Sequence, residues 1–116
     1  MAFDERLADR VRALLGETDV TERRMFGGLA FLLRGHMCVG IIGHDLMVRV
    51  GPDQLDSALA EKHARPMDFT GRPAKGMVYV APAGLRTERS LRHWIDRARQ
   101  FVETLPEKSV KPARRR

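Results

Sequence analysis

Four histidines, one cysteine and a few hydroxyl and carboxylate side chains are the groups in this chain with intrinsic chemistry. His36, His44, His63 and His93 are nowhere spaced at i,i+3 or i,i+4, and no Cys-x-x-Cys accompanies them, so the spacing describes no metal-ligand set. His36 and His44 fall in predicted turns, where a solvated imidazole is the simpler reading. Cys38 sits in the apolar run Met37-Cys38-Val39-Gly40-Ile41-Ile42, the setting of a buried, inert thiol rather than a nucleophile. Ser57 and Ser90 lie in predicted helices without a nucleophile-elbow sequence. Asp45, Asp53 and Asp56 read as turn and helix-start residues rather than an acid/base pair. Gly27-Gly28 does not complete a Gly-x-Gly-x-x-Gly turn, and Gly71-Arg72-Pro73-Ala74-Lys75 lacks the spacing and the Ser/Thr of a phosphate loop. The expectation is a chain without catalytic, cofactor-binding or metal-binding residues, and not an enzyme.

What remains is a cationic and glycine-rich passage, Arg23-Arg24-Met25-Phe26-Gly27-Gly28, together with Arg49. Adjacent glycines permit positive φ and remove side-chain bulk, which suits a bulge, a bend or a close backbone approach. An architectural role is preferred to ligand binding, with the glycines setting a bend where the first helix hands over to the sheet. If Arg23, Arg24 and Arg49 share a face, they can meet phosphate or an acidic patch on a partner. Strand alternation sends Arg23 and Arg24 to opposite faces, so only one of them joins such a patch. Ordinary solvated charge is the plainer reading. The candidate interaction residues are Arg23, Arg24, Phe26, Gly27, Gly28 and Arg49.

The elements that must position these residues follow from periodicity. Phe3, Leu7, Val11, Leu14 and Leu15 recur at helical spacing with charged residues between, and Gly16 is a natural C-cap. After a polar stretch through Glu22 the period changes to two. Leu29, Phe31 and Leu33 alternate, Gly35-His36 offers a two-residue II′ turn, Met37 to Ile42 returns as a central strand, and Leu46, Val48 and Val50 mark a third strand after Gly43-His44-Asp45. Gly51-Pro52-Asp53 starts a second helix that runs to about Lys62. Residues 64 to 76 read as a loop around a short strand near Met67 to Phe69, and Met77 to Ala81 as a further strand. Thr87 caps a long helix whose stripe runs Leu91, Trp94, Ile95, Ala98, Phe101, Val102, Leu105, closed by Pro106. Trp94 on that stripe is a core or interface anchor. The fold expected is α+β: an antiparallel sheet of four to five strands with helices packed on one face, in the order helix, three-stranded meander, helix, one or two strands, long helix.

The 116 residues are enough for one domain with a continuous core. Residues 1–106 form that domain, and residues 107–116 a basic tail without apolar periodicity, expected to be mobile. A hydrophobic fraction of 43% and a charged fraction of 31% are those of a soluble protein. No apolar run reaches the roughly 18 residues of a membrane helix, and the amino terminus has no signal-like apolar region, so a cytoplasmic protein with no membrane partner is expected. The net charge is +6, but residues 107–116 hold five basic residues against one acidic, so the body is nearly balanced.

With Arg24-Met25-Phe26-Gly27-Gly28-Leu29, the glycine-punctuated meander, Leu46 to Val50, Met77 to Val80 and the Trp94-Ile95 helix, the chain resembles the amino-terminal domain of the TfoX/Sxy competence regulators over roughly residues 3 to 105. That resemblance implies transcriptional regulation by assisting a DNA-bound activator, without a DNA-reading helix, and carries over no catalytic residues. Full-length members have a second helical domain where this chain has a charged tail. The leading expectation is a non-enzymatic, TfoX-like interaction module whose sheet edge or helix face meets a protein partner, its own copy included as a homodimer. The alternative is sequence-independent nucleic-acid binding through Lys108, Lys111, Arg114, Arg115 and Arg116. A small-molecule enzyme is a third class and would need a closed polar pocket.

Overall fold

The first helix, α1, spans Glu5–Leu15 because both of its ends are capped by the residues the sequence offers. Asp4 accepts from the Leu7 amide at 3.1 Å, and Gly16, at φ 77°, donates its amide to the Arg12 carbonyl. In this computed structural model, which describes residues 3–16, 20–25, 27–69 and 72–106, α1 is followed by strands β1 (Val20–Met25), β2 (Gly28–Leu33), β3 (His36–Ile42) and β4 (Asp45–Arg49). A short 3-10 turn, Pro52–Gln54, leads into α2 (Leu55–Leu59). Strands β5 (Ala64–Phe69) and β6 (Arg72–Val80) precede a second 3-10 turn at Pro82–Gly84, and α3 (Glu88–Val102) completes the domain. All neighbours in the sheet are antiparallel, in the order β1-β2-β3-β4-β6-β5.

The α+β class and the order of elements are those the periodicity predicts, but the sheet has six strands rather than four to five. The additional strand is β1. Thr21, Glu22, Arg23 and Arg24 are all exposed, because β1 is an edge strand, so no apolar alternation marks it. The paired glycines therefore do not join a helix to a sheet; they close a β1–β2 hairpin in which Met25 pairs with Gly28. Their roles divide. Gly27 takes φ 74° with open space around it, whereas a Cβ on Gly28 would collide with the Ile41 carbonyl of β3. Two other boundaries move. The β2–β3 turn is Arg34-Gly35, both at positive φ as a type I′ turn requires, and His36 opens β3 instead of sitting in the turn. The expected loop at 64–76 is largely the hairpin arms of β5 and β6; Pro66 is accommodated because β5 is the other edge, at an irregularity in register. The second helix stops at Leu59, short of Lys62.

α3 lies across β3 and β4, α1 packs beside it, and α2 covers β6. Trp94, only 2% exposed, sits in this core with Leu91, Ile95, Ala98 and Val102. Thr87 and Ser90 cap α3 reciprocally: each backbone amide donates to the other's hydroxyl, at 3.0 and 3.3 Å. Among the described residues no helix is long and apolar enough to cross a membrane.

Candidate interaction surface on the helix-free side of the sheet

Strand register sorts the sheet into two ranks of side chains. Leu29, Ile41, Leu46, Val80 and Phe31, Val39, Val48, Val78 stand opposite one another and belong to the core under the helices. The residues between them face the other way. One such rank crosses all six strands: Arg23, Ala30, Gly40, Met47, Tyr79, Arg65. Ala30 and Met47 are fully buried yet stand outside the helix-side core cluster. A Cβ on Gly40 would collide with the Met47 methyl and lie 3.2 Å from that of Met37, so both thioethers fold over the bare backbone at that position.

The two ends of this face differ. Toward β5, Arg65 lies 4.8 Å from the Tyr79 ring centroid and donates to Asp45 at 2.6 Å, closing that end. Toward β1 the face stays open as a shallow depression of about 670 Å³ lined by Arg23, Met25, Leu32, Gly35, His36, Met37, Arg49 and Pro106. His36 holds one wall: its Nε2 lies 2.7 Å from the Pro106 carbonyl, an acceptor, so Nε2 carries the proton in this bond. Arg49 reaches round the end of the sheet, donating to the Met37 carbonyl at 3.4 Å while its guanidinium carbon stands 5.4 Å from the Phe101 ring centroid on α3. A bulge at Cys38, the extra residue between the Phe31–Val39 and Leu32–Met37 pairs, shifts the register here.

Of the candidate residues, Arg23 and Arg49 come together in this depression. Arg24 goes to the helix side, 5.5 Å from the Phe3 ring centroid, Gly27 and Gly28 form the hairpin, and Phe26 lies outside the described residues, as do Lys108, Lys111, Arg114, Arg115, Arg116 and the tail boundary at 107–116. Met25, Leu32 and Met37 were not among the candidates. For Leu32 and Met37 a signal is present, since β2 and β3 read apolar on both faces while helices cover one; Met25, on the edge strand, has none.

Several other polar groups make contacts within the fold. Cys38 is buried, and burial pushes its thiol up to about 12, Arg99 and Arg49 opposing and Glu103 adding to that effect. His44 Nδ1 lies 3.0 Å from Asp4, and this bond, with the Leu7 amide, holds the Asp4 carboxyl below its ordinary range. Arg12 grips Glu22 with two bonds, of 2.6 and 2.9 Å, tying α1 to β1 and lowering the Glu22 pKa. Glu61 on the connection after α2 accepts from Arg97 at 2.8 Å and meets His93 at 2.9 Å. A second recess, about 430 Å³ and lined by Asp53, Gln54, Arg97, Gln100 and Phe101 among others, has its one guanidinium already committed to Glu61 and Ser57. Among the described residues no group of three or more His, Cys, Asp or Glu is placed to hold a metal ion.

The helix-backed antiparallel sheet is a small α+β domain with one partly open, basic-rimmed apolar face. The family profile of the TfoX N-terminal domain matches residues 12–102, most of the chain, and the chain belongs to that family. Comparison with curated proteins and with solved structures gave no match.

Proposed function

We propose that this chain is a regulatory protein-interaction module of the TfoX type, working in the cytoplasm without catalysis, and that its working surface is the open half of the helix-free sheet face. The observation that carries this reading is the depression itself: apolar side chains from β1, β2 and β3 left half-buried beside two guanidiniums, on a sheet whose other face is fully packed. Exposed apolar surface rimmed by polar groups is the ordinary mark of a docking site. The sheet edges are less suited to pairing, since β1 exposes consecutive charges and β5 carries Pro66. Membership of the family supports a role in regulation, with competence as its expected setting.

The test is site-specific photo-crosslinking in extract of the native cell, with the crosslinker at position 37 or, as control, at exposed position 92 on α3. Nuclease-resistant protein adducts from position 37 and not from 92 are expected. Adducts that are nucleic acid alone, or equal adducts from both positions, would overturn the reading. Binding of nucleic acid through residues 107–116 is the second reading, favoured by a net +4 over those residues. It requires salt-sensitive DNA affinity that disappears when the five cations are replaced by serine.

A further inference from the structure

We infer that the open depression receives an acidic amphipathic helix of another protein, its apolar side on Met25, Leu32 and Met37 and its carboxylates on Arg23 and Arg49. This deepens the interaction reading above and rests on it. The floor sets the first requirement. Methionine is unbranched and polarizable, and two of the three floor residues are methionines, so the floor can mould to an apolar helical stripe without a fixed hole.

Charge sets the second requirement. The residues lining the depression include two arginines and a histidine but no carboxylate. Other arginines of the chain pair with carboxylates internally, among them Arg12 with Glu22, Arg65 with Asp45, Arg92 with Glu88 and Arg97 with Glu61. Arg23 and Arg49 have no carboxylate partner among the described residues. Pro106 stands at the rim. An acidic ligand is the complement to that border.

Two other occupants fit less well. A second copy seated face to face would bring the same cations against each other, with no carboxylate on the patch to pair them, and burying unpaired guanidinium is costly. A nucleic acid would meet thioethers and a leucine where base stacking calls for aromatic rings.

The experiment uses the full chain labelled with 13C at its methionine methyls, the resonances assigned through Met25→Leu and Met37→Leu. It is titrated with three synthetic helical peptides of one length and one leucine stripe, whose polar positions are all Glu, all Gln or all Lys. The Glu peptide should move the Met25 and Met37 resonances, the Gln peptide should bind about tenfold more weakly, a difference of roughly 1.4 kcal/mol, and the Lys peptide least. Arg23→Glu, at an exposed edge position, should narrow or invert the order of the Glu and Lys peptides. Equal response to all three peptides, or an Arg23→Glu variant that keeps both the original order and the original gap between the Glu and Lys peptides, overturns the acidic partner while leaving the interaction reading to its crosslinking test. Movement of the two resonances with protein concentration alone points to a second copy, and tighter binding of duplex DNA at the same methyls points to nucleic acid. Either overturns the inference, as does silence of both methyls toward every peptide.

Discussion

The two faces of this one sheet are built from different kinds of side chain. Under the helices stand Leu29, Ile41, Leu46, Phe31, Val39, Val48, Val78 and Val80, mostly branched residues with few rotamers, every one of them buried. On the other face the central rank runs Ala30, Gly40, Met47 and Tyr79 between two arginines, with Met25, Leu32 and Met37 at its open end. The contrast separates two tasks. Stiff, interlocking side chains specify a unique core, whereas small and unbranched ones leave a surface that can accept more than one shape. Stability should therefore reside on the first face, and binding on the second.

The strongest way to break this comparison is to truncate one large residue on each face and measure unfolding in urea. Trp94→Ala removes an indole that is 2% exposed at the centre of the helix-side core, and should cost about 3–5 kcal/mol. Met37→Ala removes a half-buried thioether and should cost about 1 kcal/mol. Equal losses would mean that the helix-free face is as much a core as the other.

Next in size is the glycine pair between β1 and β2, where the two residues answer to different constraints. Gly28→Ala places a methyl against the backbone carbonyl of Ile41, which cannot rotate away, so a loss of roughly 1–3 kcal/mol is expected. Gly27→Ala meets no neighbour and bears only the cost of positive φ, about 1 kcal/mol. Gly27→Asn should cost less still, since asparagine tolerates that conformation. A Gly28 variant as stable as wild type in thermal melts would show that the β2–β3 approach relaxes more easily than its geometry implies.

Acid should separate the faces in another way. Among the described residues, the two carboxyls with lowered pKa, Asp4 and Glu22, tie α1 to the sheet, the first through His44 and the second through Arg12. A carboxyl whose folded pKa lies below its unfolded value contributes stability that is present above the unfolded value and is lost as pH falls through the folded one. The loss therefore begins near pH 4, in the ordinary carboxylate range, and continues below it. Asp4→Asn should flatten that part of the stability curve between pH 5 and pH 2 and lower its neutral-pH plateau. An unchanged curve would deny Asp4 its share in the acid response.

How far the fold could be read in advance depended on burial. α3 with its cap and α1 with its glycine stop are legible because each buries one regular stripe, and strands β2 to β4 because they are apolar runs separated by glycine-containing turns. β1 is not, because an edge strand with Thr21 to Arg24 all exposed leaves no period to detect, so the paired glycines after it read as the bend into the sheet rather than as its first turn. β5 and β6 were shortened in the reading by Pro66 and Pro73, which an edge hairpin tolerates. The surface is half legible. Alternation divides Arg23 from Arg24, but bringing Arg23 to Arg49 requires knowing that distant chain segments meet at one end of the sheet, and nothing in the sequence shows which apolar side chains of Met25, Leu32 and Met37 the helices leave uncovered.

The smallest expected effects fall on those adjacent arginines, and they probe the comparison at its finest grain. Both side chains stand on the same exposed edge strand, one position apart, and differ only in which way the pleat turns them. Arg24 reaches the Phe3 ring on the helix side, a cation–π contact that contributes about 0.5–1 kcal/mol at an exposed site, and Phe3 in turn anchors the approach to α1 through its bridge to Gly43. Arg24→Ala should therefore lower stability by that amount, as read from urea midpoints, and leave binding at the helix-free face unchanged. Arg23 faces the depression and has no ion-pair partner among the described residues, so Arg23→Ala should leave stability within about 0.5 kcal/mol of wild type, the usual range for a surface substitution. If the two variants exchanged these outcomes, the assignment of binding to one side of the pleat and stability to the other would fail at the one place where sequence, exposure and residue type are held equal.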